Sequence, residues 1–112
     1  MALFGSISVR EEFADKAAAR ELLVRVCNAV VPVMNKRKLR VGRVIEMHVP
    51  EGTRGVYGYN SNRGEKVAVR LRVTTRPGHF VPYDTALHTM LHELCHNVHG
   101  NHSHRFYTML GE

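Results

Sequence analysis

The stretch His92-Glu93-Leu94-Cys95-His96 constrains the fold more than any other, because its spacing demands a helix with two separate faces. Residues four apart on a helix of about 3.6 residues per turn differ by only about 40° in direction, so His92 and His96 project from one side, one turn apart. Leu87, Met90, Leu91, Leu94 and Val98 form a second, apolar stripe, which ties the helix to a core and leaves the imidazole line facing a cleft. Two imidazoles so placed can grip one metal ion. Glu93, beside the first of them but off their line, can take a proton from a water held there.

This is the H-E-x-x-H pattern of zinc hydrolases, a short motif that also arises by chance. The surroundings strengthen it. Of the eight histidines, six fall between His88 and His104, a density that core packing does not require. A catalytic zinc takes three protein ligands and keeps one position open. Gly100 suits the left-handed turn that ends many helices, and His102, six residues after His96, can fold back as the third ligand. His99, on the same side of the helical wheel, and His104 are its rivals.

At 112 residues the chain is expected to form a single domain, 1–112, and its 44% hydrophobic and 23% charged content is that of a folded soluble protein. Cys27 and Cys95 make no disulfide framework and suit a reducing, intracellular compartment as small buried residues. No run approaches the roughly 20 apolar residues of a membrane span, and the N-terminus lacks a secretory layout. The chain stops at Gly111-Glu112 within what reads as a new helix, so an excised catalytic domain is expected. Charge is concentrated: Lys36 to Arg76 holds eleven Lys and Arg against three acids, within a net charge of +6.

Periodicity gives an α+β fold, a small, mostly antiparallel sheet packed on an N-terminal helix and the metal-binding helix. Residues 1–9 read as an extended lead-in. An amphipathic helix begins near Glu11 or Asp15 and runs to Val31, with Pro32 expected to end or kink it. Lys36 to Arg40 reads as a basic connector, Val41 to Val49 as a strand, and Glu51 to Gly64 as turn-rich with at most a short strand at Val56 to Tyr59. Lys66 to Val73 alternates cleanly, Val67, Val69, Leu71 and Val73 on one face against Lys66, Ala68, Arg70 and Arg72 on the other. Thr74 to Pro82 reads as a connector, Asp84 as the N-cap of a helix from Thr85 to about His99, and Arg105 to Leu110 as the start of a closing helix.

The run from Tyr83 to His102, followed by Phe106-Tyr107, resembles the WLM metalloprotease family, relatives of the SprT-like proteases that include Spartan. The resemblance extends to Gly58-Tyr59-Asn60-Ser61-Asn62-Arg63-Gly64 and to Arg70-Leu71-Arg72. It implies a zincin-like domain and a nuclear, DNA-dependent zinc endopeptidase that cleaves proteins crosslinked to DNA and also itself. It also implies SUMO and a segregase ATPase as partners, recruited through segments outside this chain. Residue by residue, His92, His96 and His102 match the ligands of one Zn2+ and Glu93 the catalytic acid/base. Asn101 stands where the family has proline and Ser103 where it has aspartate, which alters the turn after Gly100 and leaves the ligands in place.

Lys36, Arg37, Lys38, Arg40, Lys66, Arg70 and Arg72 are the expected DNA contacts, binding phosphates without reading bases. Tyr57 and Tyr59 are placed to stack on exposed bases or to pack in the core. Arg105, Tyr107 and Tyr83 are candidates for an oxyanion donor. Two other classes compete: a zinc isopeptidase acting on SUMO or ubiquitin, and a non-catalytic DNA-binding module with structural zinc. The second leaves Glu93 without a task.

Overall fold

The computed structural model describes residues 3–47, 57–62, 64–73 and 76–96. Its elements run β1 (Phe4–Ser8), α1 (Lys16–Arg37), β2 (Val41–Glu46), β3 (Gly58–Ser61), β4 (Lys66–Val69), β5 (Arg72–Val73), β6 (Arg76–Phe80) and α2 (Tyr83–Cys95). Four strands form a sheet in the order β1-β2-β4-β3, and β5 and β6 form a separate two-stranded ribbon.

The fold is α+β, but the sheet is mixed rather than mostly antiparallel. β1 and β2 are parallel, as are β2 and β4; only β3 runs against its neighbour β4. For β1 and β2 the cause is α1, which carries the chain back across the sheet so that β2 starts from the same end as β1; for β2 and β4 it is β3, which runs back between them in the chain.

One side of α1 is apolar. Ala19, Leu23, Val26, Cys27, Val30 and Met34 are buried at helical spacing and meet Val44, Val67 and Val69 of the sheet and Ala86, Met90 and Leu94 of α2 in one core. The helix does not end at Pro32. It continues to Arg37, because Asn28, whose carbonyl loses its helical partner, and Pro32 itself are exposed to water, while Met34 holds the last turn in the core. Lys38, at φ 56°, then closes the helix. Its N–H donates to the Asn35 carbonyl and that of Leu39 to the Met34 carbonyl, the paired bonds of a Schellman turn. Lys36 and Arg37 thus belong to the helix end rather than to a connector, where their charge suits the helix dipole.

The alternation at Lys66 to Val73 does not make one strand. The chain leaves the main sheet after Val69 and enters the ribbon at Arg72, with Leu71 accepting a bond from the Val81 N–H at 2.8 Å. The expected connector at Thr74 to Pro82 contains β6, which pairs with β5. The expected end of β2 at His48 to Gly52 and the expected closing helix lie outside the described residues. Among the described residues no helix is long and apolar enough to cross a membrane.

The turn between sheets sends Arg72 inward. It is 4% exposed, with Phe13 and Phe80 rings 3.9 and 5.1 Å from its guanidinium carbon. Its Nε donates to Glu46 at 2.6 Å and its terminal nitrogen meets Asp15 at 2.8 Å. Glu46 also accepts the Arg10 N–H at 3.0 Å. Asp15, at the N-cap of α1, turns its carboxylate to Arg72 and not to the helix N–H groups. Arg72→Ala strands a buried carboxylate and is expected to cost about 3–5 kcal/mol of unfolding free energy in urea titration. Adding Glu46→Gln should recover part of that loss, a non-additivity that a double-mutant cycle reads directly.

Candidate active site

α2 starts at Tyr83, two residues before the expected start, with Pro82 as N-cap and Asp84 in the first turn, where its charge suits the helix dipole. Its apolar side buries Ala86, Met90, Leu94 and Cys95. His92 and His96 lie on the other side, half-buried, with ring centroids 5.2 Å apart and planes at 70°. Residues beyond His96 lie outside the described part of the chain, and with them the continuation to His99 and the ligand candidates His99, His102 and His104. Among the described residues no third His, Cys, Asp or Glu joins the pair in a metal-sized cluster.

Glu93 forms the floor of the cleft at 6% exposure. It lies, with His92, between two openings. The first, about 660 Å³, is lined by Tyr57, Thr85, His88 and Thr89; the second, about 550 Å³, by Tyr59, Asn60, Asn62 and His96. Burial pushes the Glu93 carboxyl up from 4.5 to about 7, which makes it a proton acceptor and donor matched to neutral pH. The donor set fits a divalent metal: two imidazoles one turn apart, open to a cleft, with a carboxylate beside them. A bound dication would lower the Glu93 proton affinity again.

Strand β3 positions α2. Asn60 donates from Nδ2 to the Glu93 carbonyl at 2.7 Å and accepts the Gly64 N–H on Oδ1 at 2.7 Å. Gly58 faces the same helix, and a methyl group there would sit 2.7 Å from Thr89 Cγ2 and 2.6 Å from the Ala68 carbonyl oxygen. Neither residue stood out in the sequence as a support of the site. The available signal was the alternation of Gly58 and Asn60 with Tyr57 and Tyr59.

The expected DNA contacts divide. Lys36, Arg37, Lys38 and Arg40 are exposed at the end of α1, and Lys66 is half-buried with its ammonium 5.5 Å from the Tyr59 ring centre. Arg70 and Arg72 are buried, at 5% and 4% exposure, so they do not form the cationic face that alternation suggested. Arg72 is held as described above, and Arg70 lies 4.9 Å from the Tyr57 ring centre. Tyr83 packs beneath Arg25 at 4.5 Å, a contact between the helices rather than in the cleft. Arg105 and Tyr107 lie outside the described residues. Burial pushes the Cys27 thiol up to about 12 and raises that of Cys95, so both stay protonated and inert.

A family model described as the WLM domain matches residues 3–112. The chain is 33% identical over 106 residues to the DNA-dependent metalloprotease WSS1 of Saccharomyces cerevisiae, covering 95% of this chain and 39% of that protein. It is 38% identical over 98 residues to the DNA-dependent metalloprotease WSS1 homolog 2 of Schizosaccharomyces pombe, covering 85% of this chain and 34% of that protein. The chain thus spans between a third and two-fifths of these relatives. The crystal structure of Wss1 from Saccharomyces cerevisiae superposes with a TM-score of 0.90 at 31% identity, covering 96% of this chain and 83% of that one.

The raised Glu93 value has a consequence for the metal-free protein. Folding favours the neutral carboxyl, so its contribution is intact below the ordinary value and is lost as pH rises from 4.5 through about 7. Metal-free Glu93→Gln is expected to match its parent near pH 4 and to exceed it by roughly 1–3 kcal/mol near pH 8, measured by thermal or urea unfolding.

Proposed function

The chain belongs to the WLM family, and on that premise we propose that it is a zinc endopeptidase that cleaves proteins crosslinked to DNA and depends on DNA for activity. The observation that carries this reading is Glu93, buried between two openings of one cleft and flanked by His92 and His96. Both relatives are named DNA-dependent metalloproteases.

His92, His96 and a third donor, for which the sequence offers His102, would hold one zinc ion, which supplies Lewis-acid activation of water near neutral pH and polarises the scissile carbonyl. Glu93 takes the proton of the attacking water and returns it to the leaving amine. Its poorly solvated position keeps that proton available for the second transfer. Among the described strands β3 lies at the edge of the sheet, beside the cleft, so an extended substrate can add to it through main-chain bonds, with the two openings receiving the chain on either side of the cleaved bond. Such binding reads few side chains. It suits a protease whose substrates share only their attachment to DNA, and it admits a second copy of this chain, which is self-cleavage.

Lys36, Arg37, Lys38, Arg40 and Lys66 supply non-specific phosphate contacts in this reading. The expected compartment is the nucleus. Engagement of SUMO and a segregase ATPase is assigned to sequence outside these 112 residues.

The test is cleavage of a DNA-binding protein by the zinc-loaded chain with and without DNA. DNA-stimulated cleavage is expected, falling at least about 10²-fold in Glu93→Gln, abolished by a chelator and restored by zinc. Cleavage confined to SUMO or ubiquitin conjugates would replace this reading with the isopeptidase. Zinc retention with no hydrolysis by the parent chain would favour the non-catalytic module.

A further inference from the structure

Antiparallel register sorts the main-chain groups of β3 into two sets. The Arg70 N–H donates to the Tyr57 carbonyl at 2.7 Å, so these two residues form a bonded pair. The Val69 carbonyl is turned the other way, to β2, where it accepts the Met47 N–H at 2.8 Å. Gly58, opposite Val69, and Asn60, opposite Val67, therefore occupy the alternate, non-bonded positions of the ladder. Gly58 thus turns its N–H and carbonyl away from β4, to the side on which a substrate strand would add. The side-chain direction of both residues is toward α2, at Thr89 and Glu93.

The Asn60 amide has only one orientation that satisfies its neighbours. The Gly64 N–H can only donate, so it takes Oδ1 at 2.7 Å and leaves Nδ2 to donate to the Glu93 carbonyl, also at 2.7 Å. Gly64 is itself held by the sheet, its carbonyl accepting the Gly42 N–H at 2.8 Å. On the helix, the Glu93 carbonyl also accepts the His96 N–H at 3.1 Å. One oxygen therefore takes a bond from the strand and a bond from the helix, which its two lone pairs allow.

We infer that Asn60 is a positioning residue for the reaction: it fixes the acid/base relative to the strand on which the substrate is laid. This role rests on the endopeptidase reading above and deepens it. The carbonyl bonded to Asn60 is attached to the Cα of Glu93, so holding its direction sets the direction in which the Glu93 side chain leaves the helix. Through the His96 amide the same oxygen gives a candidate metal ligand the same reference. Misplacing a reacting group by about 1 Å can cost roughly 10²-fold in rate, and the apolar side of α2 anchors the helix only from the core behind it. Asn60 acts from the front. A substrate bonded to the Gly58 main chain and an acid/base held through Asn60 are located from one strand, two residues apart.

Two substitutions separate this role from simple support of the hairpin. Asn60→Leu keeps the bulk and loses both bonds, whereas Asn60→Asp keeps an acceptor for the Gly64 N–H and loses the donor to Glu93. In peptide cleavage by the zinc-loaded chain with DNA present, both are expected to lower kcat at least about tenfold while KM stays within about twofold, at parental zinc content. Placed on Glu93→Gln, Asn60→Asp is expected to cause little further loss, since it acts through that side chain. If Asn60→Leu does not fold, Asn60→Asp carries the test. Hydrogen exchange at the His96 amide of the zinc-loaded chain reads the same link without turnover, and is expected to quicken at least about tenfold in Asn60→Asp. Parental kcat in folded Asn60→Asp, a loss confined to KM, or unchanged exchange at His96 overturns the inference. If the parent cleaves and Asn60→Asp cleaves equally well, the positioning role fails and the protease reading stands. If the parent hydrolyses nothing while exchange at His96 quickens in Asn60→Asp, the link from β3 to Glu93 stands and the protease reading fails.

Discussion

The guanidinium of Arg72 is the point at which separate parts of the chain are tied. It joins the end of β2 through Glu46, the start of α1 through Asp15, and the lead-in and ribbon through the Phe13 and Phe80 rings. A buried charge is costly to desolvate, so such a site holds only when its partners arrive together. That requirement ties register to register. Phe80 ends β6 three residues before α2 begins, so the anchoring of the ribbon also sets where the helix carrying His92, Glu93 and His96 leaves the sheet.

The helix that carries His92, Glu93 and His96, with its two imidazoles on one side, was legible because helical spacing is a local property of the sequence. So was the apolar stripe of α1, though not its full length: whether Pro32 breaks a helix depends on where the Asn28 carbonyl that it leaves unpaired lies, and here Asn28 is exposed to water. Strict alternation from Lys66 to Val73 was misleading for a different reason. Alternation says which residues share a face while a strand continues, and the strand stops at Val69. The partners of Arg72 lie 26 and 57 residues away, beyond the reach of any local pattern, and no pattern of charge distinguishes an arginine facing water from one enclosed by two rings. Strand direction was likewise set by the crossover through α1.

Around the site, the divided labour of β3 was the least visible feature. A segment rich in glycine and asparagine reads as turn-rich with at most a short strand, and β3 falls two residues later than the Val56 to Tyr59 expected for it. Its bare position at Gly58 instead lets α2 lie close against the sheet, and Asn60 bridges the Glu93 carbonyl to the Gly64 amide. Composition alone cannot distinguish a flexible turn from a strand kept narrow for a neighbour. Tyr57 and Tyr59 alternate with these residues because the period of a strand is two, and they line the two openings of the cleft.

The place of α2 in the chain has a bearing on when the cleft can form. All six described strands precede it in the sequence, and the cleft is formed where it meets β3. A ribosome therefore delivers the scaffold first and the histidines and carboxylate afterwards. The cleft is thus completed only when α2 is available to bring His92, Glu93 and His96 against β3.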